Sequence, residues 1–304
     1  MKFYPEGTNE SLQRTFDSLE DVKIAMMNGN VIESKVLLCD SDHNLHVDLG
    51  IIRGVIPREE GAIGIDDGTT KDIALISKVN KFVCFTILGF QRDDFGGTSA
   101  ILSRKAVQLG CKMNFIDKLN VGDIIDAKVT HLEKFGAFID IGAGINALIP
   151  IDMLSVSRIS HPRERVFEGE KIRVVLKKKE PVKLTFSLRE LLGTWMENAS
   201  LFEVGQTVTG VVRSIETYGV FVELMPNLAG LAEPCDFLFE GQRVAVYIKS
   251  ILPDKMKIKL VVVEAFEEAE MAEPLTYFVK DSHIKKFAYS PKNAPKEIVT
   301  VFEE

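Results

Sequence analysis

Two stretches of this chain are the same segment written twice. Residues 121–150 read VGDIIDAKVTHLEKFGAFIDIGAGINALIP, and residues 204–234 read VGQTVTGVVRSIETYGVFVELMPNLAGLAEP. Gly122 and Gly205, Phe135 and Tyr218, Gly136 and Gly219, Phe138 and Phe221, Asp140 and Glu223, and Leu148 and Leu231 all stand 83 residues apart. A register held through two aromatics and two glycines marks a structural unit repeated in tandem. Within each copy Val and Ile alternate around an aromatic-Gly-x-Phe bend, the period-2 pattern of strands with one buried face.

The strands can be counted. In the middle copy, Ile124–Val129, Ala137–Ile141 and Ile145–Ile149 read as three strands, separated by the Lys134-Phe135-Gly136 bend and the Gly142-Ala143-Gly144 turn. A polar stretch over 151–168 follows, with room for a helical turn at Ile151–Ser155. Glu170–Leu176 and Val182–Leu188 complete five strands. Five short strands with a long connection after the third describe a small closed Greek-key barrel of the OB type. The last copy repeats the order through Val244–Leu252 and Met256–Val263, with Gly241 in the place of Gly169. A divergent copy lies upstream: Gly29–Val36, Val47–Gly50 and Gly54–Pro57 align at offsets of 93 and 92, and Phe82–Leu88 and Ser99–Ser103 supply two further strands. It has His43 and His46 where the middle copy has Phe135 and Phe138.

The expected fold is therefore all-β, three tandem five-stranded OB-type barrels with a short C-terminal α/β tail. The expected boundaries are an N-terminal arm at 1–18, barrels at 19–108, 118–189 and 201–264, a linker helix at 190–200 and a tail at 265–304. In that tail Ala265–Glu273 is acidic and helix-prone, while Tyr277–Val279, Ile284–Phe287 and Ile298–Phe302 suit short strands or docking segments.

The pattern Val-Gly-Asp-x5-Val, Phe-Gly-Ala-Phe-x-Asp, Ala-Leu-Ile-Pro and Gly-Glu-x-Ile resembles the S-one RNA-binding motif, named after the largest protein of the bacterial small ribosomal subunit. The match is close in the middle copy, good in the last and partial in the first. Three repeats in 304 residues resemble the short Gram-positive versions of that family. The resemblance implies a noncatalytic protein that holds single-stranded mRNA for translation, with the first repeat turned to proteins of the small ribosomal subunit. The competing class is a nonribosomal RNA-binding regulator or a protein-interaction scaffold.

An OB face binds single strands by stacking bases on exposed aromatics and tracking phosphates with Lys and Arg. Phe135 and Phe138 match the family's two stacking positions, and Tyr218 and Phe221 repeat them. Lys183 stands where the family usually has an Arg. The family's His position is Pro150 in the middle copy and Glu233 in the last, and its acidic position falls at Lys179 or Glu180. The full chain is acidic, with a formal net charge of −7, yet residues 158–189 carry ten Lys and Arg against four Glu. That local excess is the expected phosphate footprint. The candidate RNA contacts are thus Phe135, Phe138, Lys134, Arg158, Lys177, Lys178, Lys179, Lys183, Tyr218, Phe221, Arg213 and Lys257.

Other chemistries find no support. His43-x-x-His46 on a strand would point to opposite faces, with no third ligand close in sequence, so neither a metal nor another cofactor is expected. Gly96-Gly97-Thr98 and Gly142-Ala143-Gly144 are too short for a phosphate loop, and no hydrolase nucleophile pattern occurs. Cys39, Cys84, Cys111 and Cys235 are scattered and read as small buried hydrophobes in a reducing, cytoplasmic setting. No signal peptide or membrane span is apparent.

Overall fold

In the computed structural model, residues 3–92, 97–181, 183–269 and 275–302 are described. Three closed five-stranded barrels follow one another along the chain. The first is built from β1 (Ile32–Cys39), β2 (Leu45–Asp48), β3 (Arg53–Ile56), β4 (Phe82–Arg92) and β5 (Thr98–Ser103). The second comprises β6 (Ile124–Glu133), β7 (Gly136–Asp140), β8 (Asn146–Pro150), β9 (Lys171–Lys179) and β10 (Leu184–Ser187). The third comprises β11 (Thr207–Glu216), β12 (Gly219–Met225), β13 (Leu228–Ala232), β14 (Gln242–Leu252) and β15 (Lys257–Ala269). Each barrel runs in the cyclic order first-second-third-fifth-fourth. A parallel pairing of third and fifth strands closes each one: Gly54 beside Ala100, Leu148 beside Thr185, and Leu231 beside Lys259.

Alternation decides what each barrel buries. Val36, Leu45, Val47, Phe85 and Leu102 fill the first, while Val212, Val220, Val222, Val244 and Ile258 fill the third. The chain divides into two compact units. One is Met1–Leu119 with Asp126–Lys128 and Asp140–Asn146; the other is Asn120–Ile125, Val129–Ile139 and Ala147–Glu304.

Several expectations need correction. Helix α1 (Leu19–Met27), the short α2 (Ile73–Ile76) and helix α3 (Arg104–Asn114) go beyond the strand-only reading of the first barrel. The α3 N-terminus is capped by the Ser103 side chain, which accepts from the Ala106 amide. The helix buries Arg104, Val107, Gln108 and Cys111, one face at helical spacing. Two of those four are polar, which hid the pattern. The linker is not one helix but a single turn at Arg189–Leu191 and then α4 (Trp195–Ala199). Gly193, at φ +85°, breaks the two apart. The acidic run from Ala265 does not start a helix. Through Ala269 it continues β15, paired with β14 from Val244↔Ala265 to Gln242↔Ala269; residues 270–274 lie outside those described.

The rest of the described tail forms a two-stranded sheet, β16 (Lys286–Ala288) with β17 (Val299–Val301). Phe287 of this sheet, with Tyr289 and Phe302 just beyond its strands, is buried in one hydrophobic cluster with Trp195 and the core of the third barrel. Among the cysteines, Cys84 and Cys111 are buried as expected, but Cys39 is only partly covered and Cys235 is exposed. No helix among the described residues is long and apolar enough to cross a membrane.

Candidate nucleic-acid interface

The bend between β6 and β7 is set by a close approach of backbone. A Cβ on Gly136 would lie 2.3 Å from the Ile149 carbonyl oxygen, and one on Gly219 would lie 2.4 Å from that of Ala232. Only glycine lets the third strand pass this near. The Ile151 amide then donates to the Phe135 carbonyl at 2.9 Å and holds the bend from the far side. Gly136→Ala is therefore expected to destabilise the protein by about 2–3 kcal/mol, as forced overpacking does, measured as a lowered urea midpoint. A midpoint equal to wild type would show that the strand can give way.

The bend presents the aromatics. Phe135 is 56% exposed, Tyr218 is 63% exposed, and Phe138 and Phe221 are half-buried. Phe135 meets Phe138 edge to face, centroids 6.0 Å apart at 86°, and Tyr218 meets Phe221 at 6.2 Å and 88°. The duplication is thus retained in ring geometry as well as in register. In each pair the half-buried ring steadies the exposed one, and the exposed face is the kind on which a base stacks.

The basic residues divide into two groups. Lys134, Arg158, Lys178, Lys179, Lys183 and Lys257 are exposed, and Lys178 pairs with Glu180 at 2.6 Å. Lys177 is different: its ammonium sits 5.0 Å over the Phe302 ring, and partial burial lowers its pKa. Arg173 donates to the carbonyls of Val279 at 2.6 Å and Asp281 at 2.8 Å. Arg165 and Arg213 are buried in ion pairs with Glu223. Arg189 donates to the Asp152 carbonyl and pairs with Glu190. The cations of 158–189 are therefore not one phosphate footprint. Arg165, Arg173, Lys177 and Arg189 brace the fold.

The structure also brings in His131, which sequence reading passed over. Its Nδ1 lies 2.9 Å from Glu168 Oε1 and its Nε2 lies 3.0 Å from Glu133 Oε1. In the last repeat Ser214 pairs with Phe221 across β11 and β12; the 83-residue register gives His131 opposite Phe138. The signal was present, since His131, Glu133 and the bend are contiguous. Hydrogen bonds to Glu133 and then Glu168 raise the His131 pKa. A raised folded-state value gives stability that is complete below the unfolded pKa and lost as pH rises through the folded one. The His131 ring resonances in an NMR titration are expected to show a midpoint above the ordinary histidine value, falling in Glu168→Gln. A wild-type midpoint at or below the ordinary value would contradict the bridge.

His43 is not on a strand. It sits in the β1–β2 turn at φ +66°, while His46 on β2 bonds Asp40 Oδ2 at 2.9 Å through Nε2. Among the described residues no three His, Cys, Asp or Glu side chains are grouped to hold a metal ion.

Residues 118–188 match the model of the S1 (S-one) RNA-binding domain. The chain is 36% identical over 178 residues to the small ribosomal subunit protein bS1 of Staphylococcus epidermidis, covering 53% of this chain and 45% of that one. It is 30% identical over 252 residues to the bS1 homolog of Bacillus subtilis, covering 77% of this chain and 63% of that one. The chain is thus similar to bacterial S1-type ribosomal proteins from Staphylococcus and Bacillus. It spans about half to two thirds of the length of these S1 relatives. A multidomain protein with nucleic acid binding domains from Streptococcus pneumoniae aligns over 80% of this chain and 76% of its own, at 15% identity and a TM-score of 0.27. The S1 match falls on the middle barrel, where Phe135 and Phe138 stand.

Proposed function

We propose that this chain is a noncatalytic binder of single-stranded RNA that works with the small ribosomal subunit in translation. The observation that carries the reading is the exposed Phe135 face, steadied by Phe138 and repeated in Tyr218 and Phe221. Lys134 at the bend, and the exposed Lys178, Lys179 and Lys183 of the same barrel, supply positive charge for phosphates. Two platforms on one chain would hold one strand more tightly than either alone. The S1 match and the bS1 relatives support RNA binding and ribosomal association.

The first repeat is assigned a different task, docking to proteins of the small subunit. It has no aromatic pair at the bend, and its outer surface carries Leu37, Leu38, Ile51 and Leu88, each about half exposed. Exposed aliphatics of this kind suit a protein partner better than a phosphate backbone.

Titration of a labelled single-stranded RNA at two salt concentrations tests the RNA reading. Wild type is expected to bind with a submicromolar Kd that weakens as salt rises. Phe135→Ala combined with Lys183→Ala is expected to lose about 10–100-fold, the equivalent of one stack of roughly 1–3 kcal/mol together with a phosphate contact. No wild-type binding at low salt would remove the proposal. Co-sedimentation with purified small subunits, intact in the double variant, tests the separate docking task.

A further inference from the structure

After the third strand the two copies fall back into register at a shorter offset: Gly169 matches Gly241, Glu170 matches Gln242 and Lys171 matches Arg243, all 72 residues apart. That alignment superposes Phe167 on Phe239. Both backbone amides are capped by the side chain three residues on. Phe167 N–H donates to Glu170 Oε2 at 3.0 Å, and Phe239 N–H donates to Gln242 Oε1 at 3.2 Å. Both loops are then clipped to the first strand of their barrel, Gly169 N–H to the Val129 carbonyl and Gly241 N–H to the Val212 carbonyl, each at 2.8 Å. Yet the rings are 57% and 55% exposed. A loop this well fastened, carrying an aromatic side chain that packs so little, is built to present that ring.

The position of the ring relative to the aromatic bend follows from the strand order. β6 has β7 on one side and β9 on the other. Phe138 lies on β7, and the Val129 N–H that donates to the Glu170 carbonyl fastens the Phe167 loop at the opposite edge of β6. His131, across from Phe138 by the duplicated register, reaches Glu168 through Nδ1. The loop and the Phe135–Phe138 pair thus share one outer surface, about two strand spacings or roughly 10 Å apart. Glu133 and Glu168 both bond to His131, whose imidazolium offsets one of the two carboxylate charges beside the loop.

We propose that Phe167 is a further stacking residue of the middle repeat, taking a base that flanks the one held at Phe135, with Phe239 its counterpart in the last repeat. The inference rests on the RNA-binding reading above and extends the site across β6.

A titration with single-stranded oligonucleotides of four and ten nucleotides tests it, using wild type, Phe135→Ala, Phe167→Ala and Phe167→Tyr. Phe167→Ala is expected to weaken the ten-nucleotide RNA about tenfold and the four-nucleotide RNA much less. Phe167→Tyr is expected to restore the affinity, and Phe135→Ala to weaken both lengths. Phe167→Trp adds a direct readout, since a base stacked on the indole would quench its fluorescence while the buried Trp195 stays unchanged. Equal affinity of wild type and Phe167→Ala for the longer RNA overturns the proposal. So does an unchanged RNA titration accompanied by loss of small-subunit co-sedimentation, which would make the ring a protein contact. Failure of wild type to bind either length removes the underlying RNA reading and the inference with it.

Discussion

Glu223→Ala is expected to lower stability by about 3–5 kcal/mol, the cost of stripping the counter-charge from a buried ion pair. Glu223 is 4% exposed and meets two guanidinium groups at once. Arg165 Nη2 lies 2.7 Å from one carboxylate oxygen, and Arg213 Nε donates to the other. Arg213 also reaches Glu164 at 2.8 Å. The side chains of Arg165 and Arg213 are only 4% and 8% exposed, and burial lowers the Arg165 pKa despite the carboxylate beside it. Without Glu223, two desolvated cations lose the carboxylate they share. The loss is read as a lowered urea midpoint. Replacing the charged groups together, Glu223→Met with Arg165→Met and Arg213→Met, is expected to recover much of it, because the larger part of the penalty is uncompensated charge. A shift under about 0.5 kcal/mol in Glu223→Ala would show that water reaches the cluster and screens it.

Arg104→Met is expected to cost the other unit a comparable amount, about 3–5 kcal/mol. Arg104 on α3 is 2% exposed and grips Glu6 of the N-terminal arm with Nε at 2.6 Å and Nη2 at 3.0 Å. Lys78 reaches the same carboxylate at 2.9 Å. Burial pushes the Glu6 pKa up, but the charges of Arg104 and Lys78 outweigh it and hold the group at about 2. A folded-state value below the ordinary 4.5 gives stability that is complete above 4.5 and lost as pH falls toward 2. In Arg104→Met that upward push is opposed by Lys78 and the Cys84 amide without the guanidinium, so the Glu6 carboxyl should titrate at higher pH. The deficit of the variant should then be largest at neutral pH and shrink on acidification. Denaturation at pH 4 and pH 7 measures this, and an equal deficit at both would mean that lost packing rather than charge is responsible.

Both ion-pair sites involve the position that repeats as Asp140 and Glu223. Asp140 caps its own turn, accepting from the Gly142 and Gly144 amides, and accepts the Glu6 amide at 2.7 Å. Glu223 turns instead to Arg165 and Arg213. The duplicated sequence marks this position as equivalent, and in each copy the acid secures a neighbouring segment. Which partner it takes depends on what the chain brings alongside, so no local pattern could announce it.

The aromatic bend was more legible. Gly136, Phe135 and Phe138 are contiguous, and strand period, turn chemistry and ring geometry are all local consequences of that run. Phe167 was legible too, but only after the shortened offset of 72 residues is applied to the second half of the repeat. The basic residues were not. Lys177, Arg165 and Arg173 look in sequence like the exposed Lys178 and Lys179. Only packing shows that the first three face Phe302, Glu223 and the Val279 carbonyl.

The sequence by itself determined three barrels of one strand order, the glycine-dependent bend in the last two, and the aromatic pair beside each bend. These features are written in periods of two and in residues whose backbone demands are met within a few positions. The tertiary structure alone decided which cations face solvent and which brace the fold. It also placed α3 and its buried Arg104 against Glu6, and made the tail a two-stranded sheet over Trp195. The reason is physical: a charge or an aromatic has no fixed role until its neighbours set its dielectric and its partner, and those neighbours lie as far as 160 residues away.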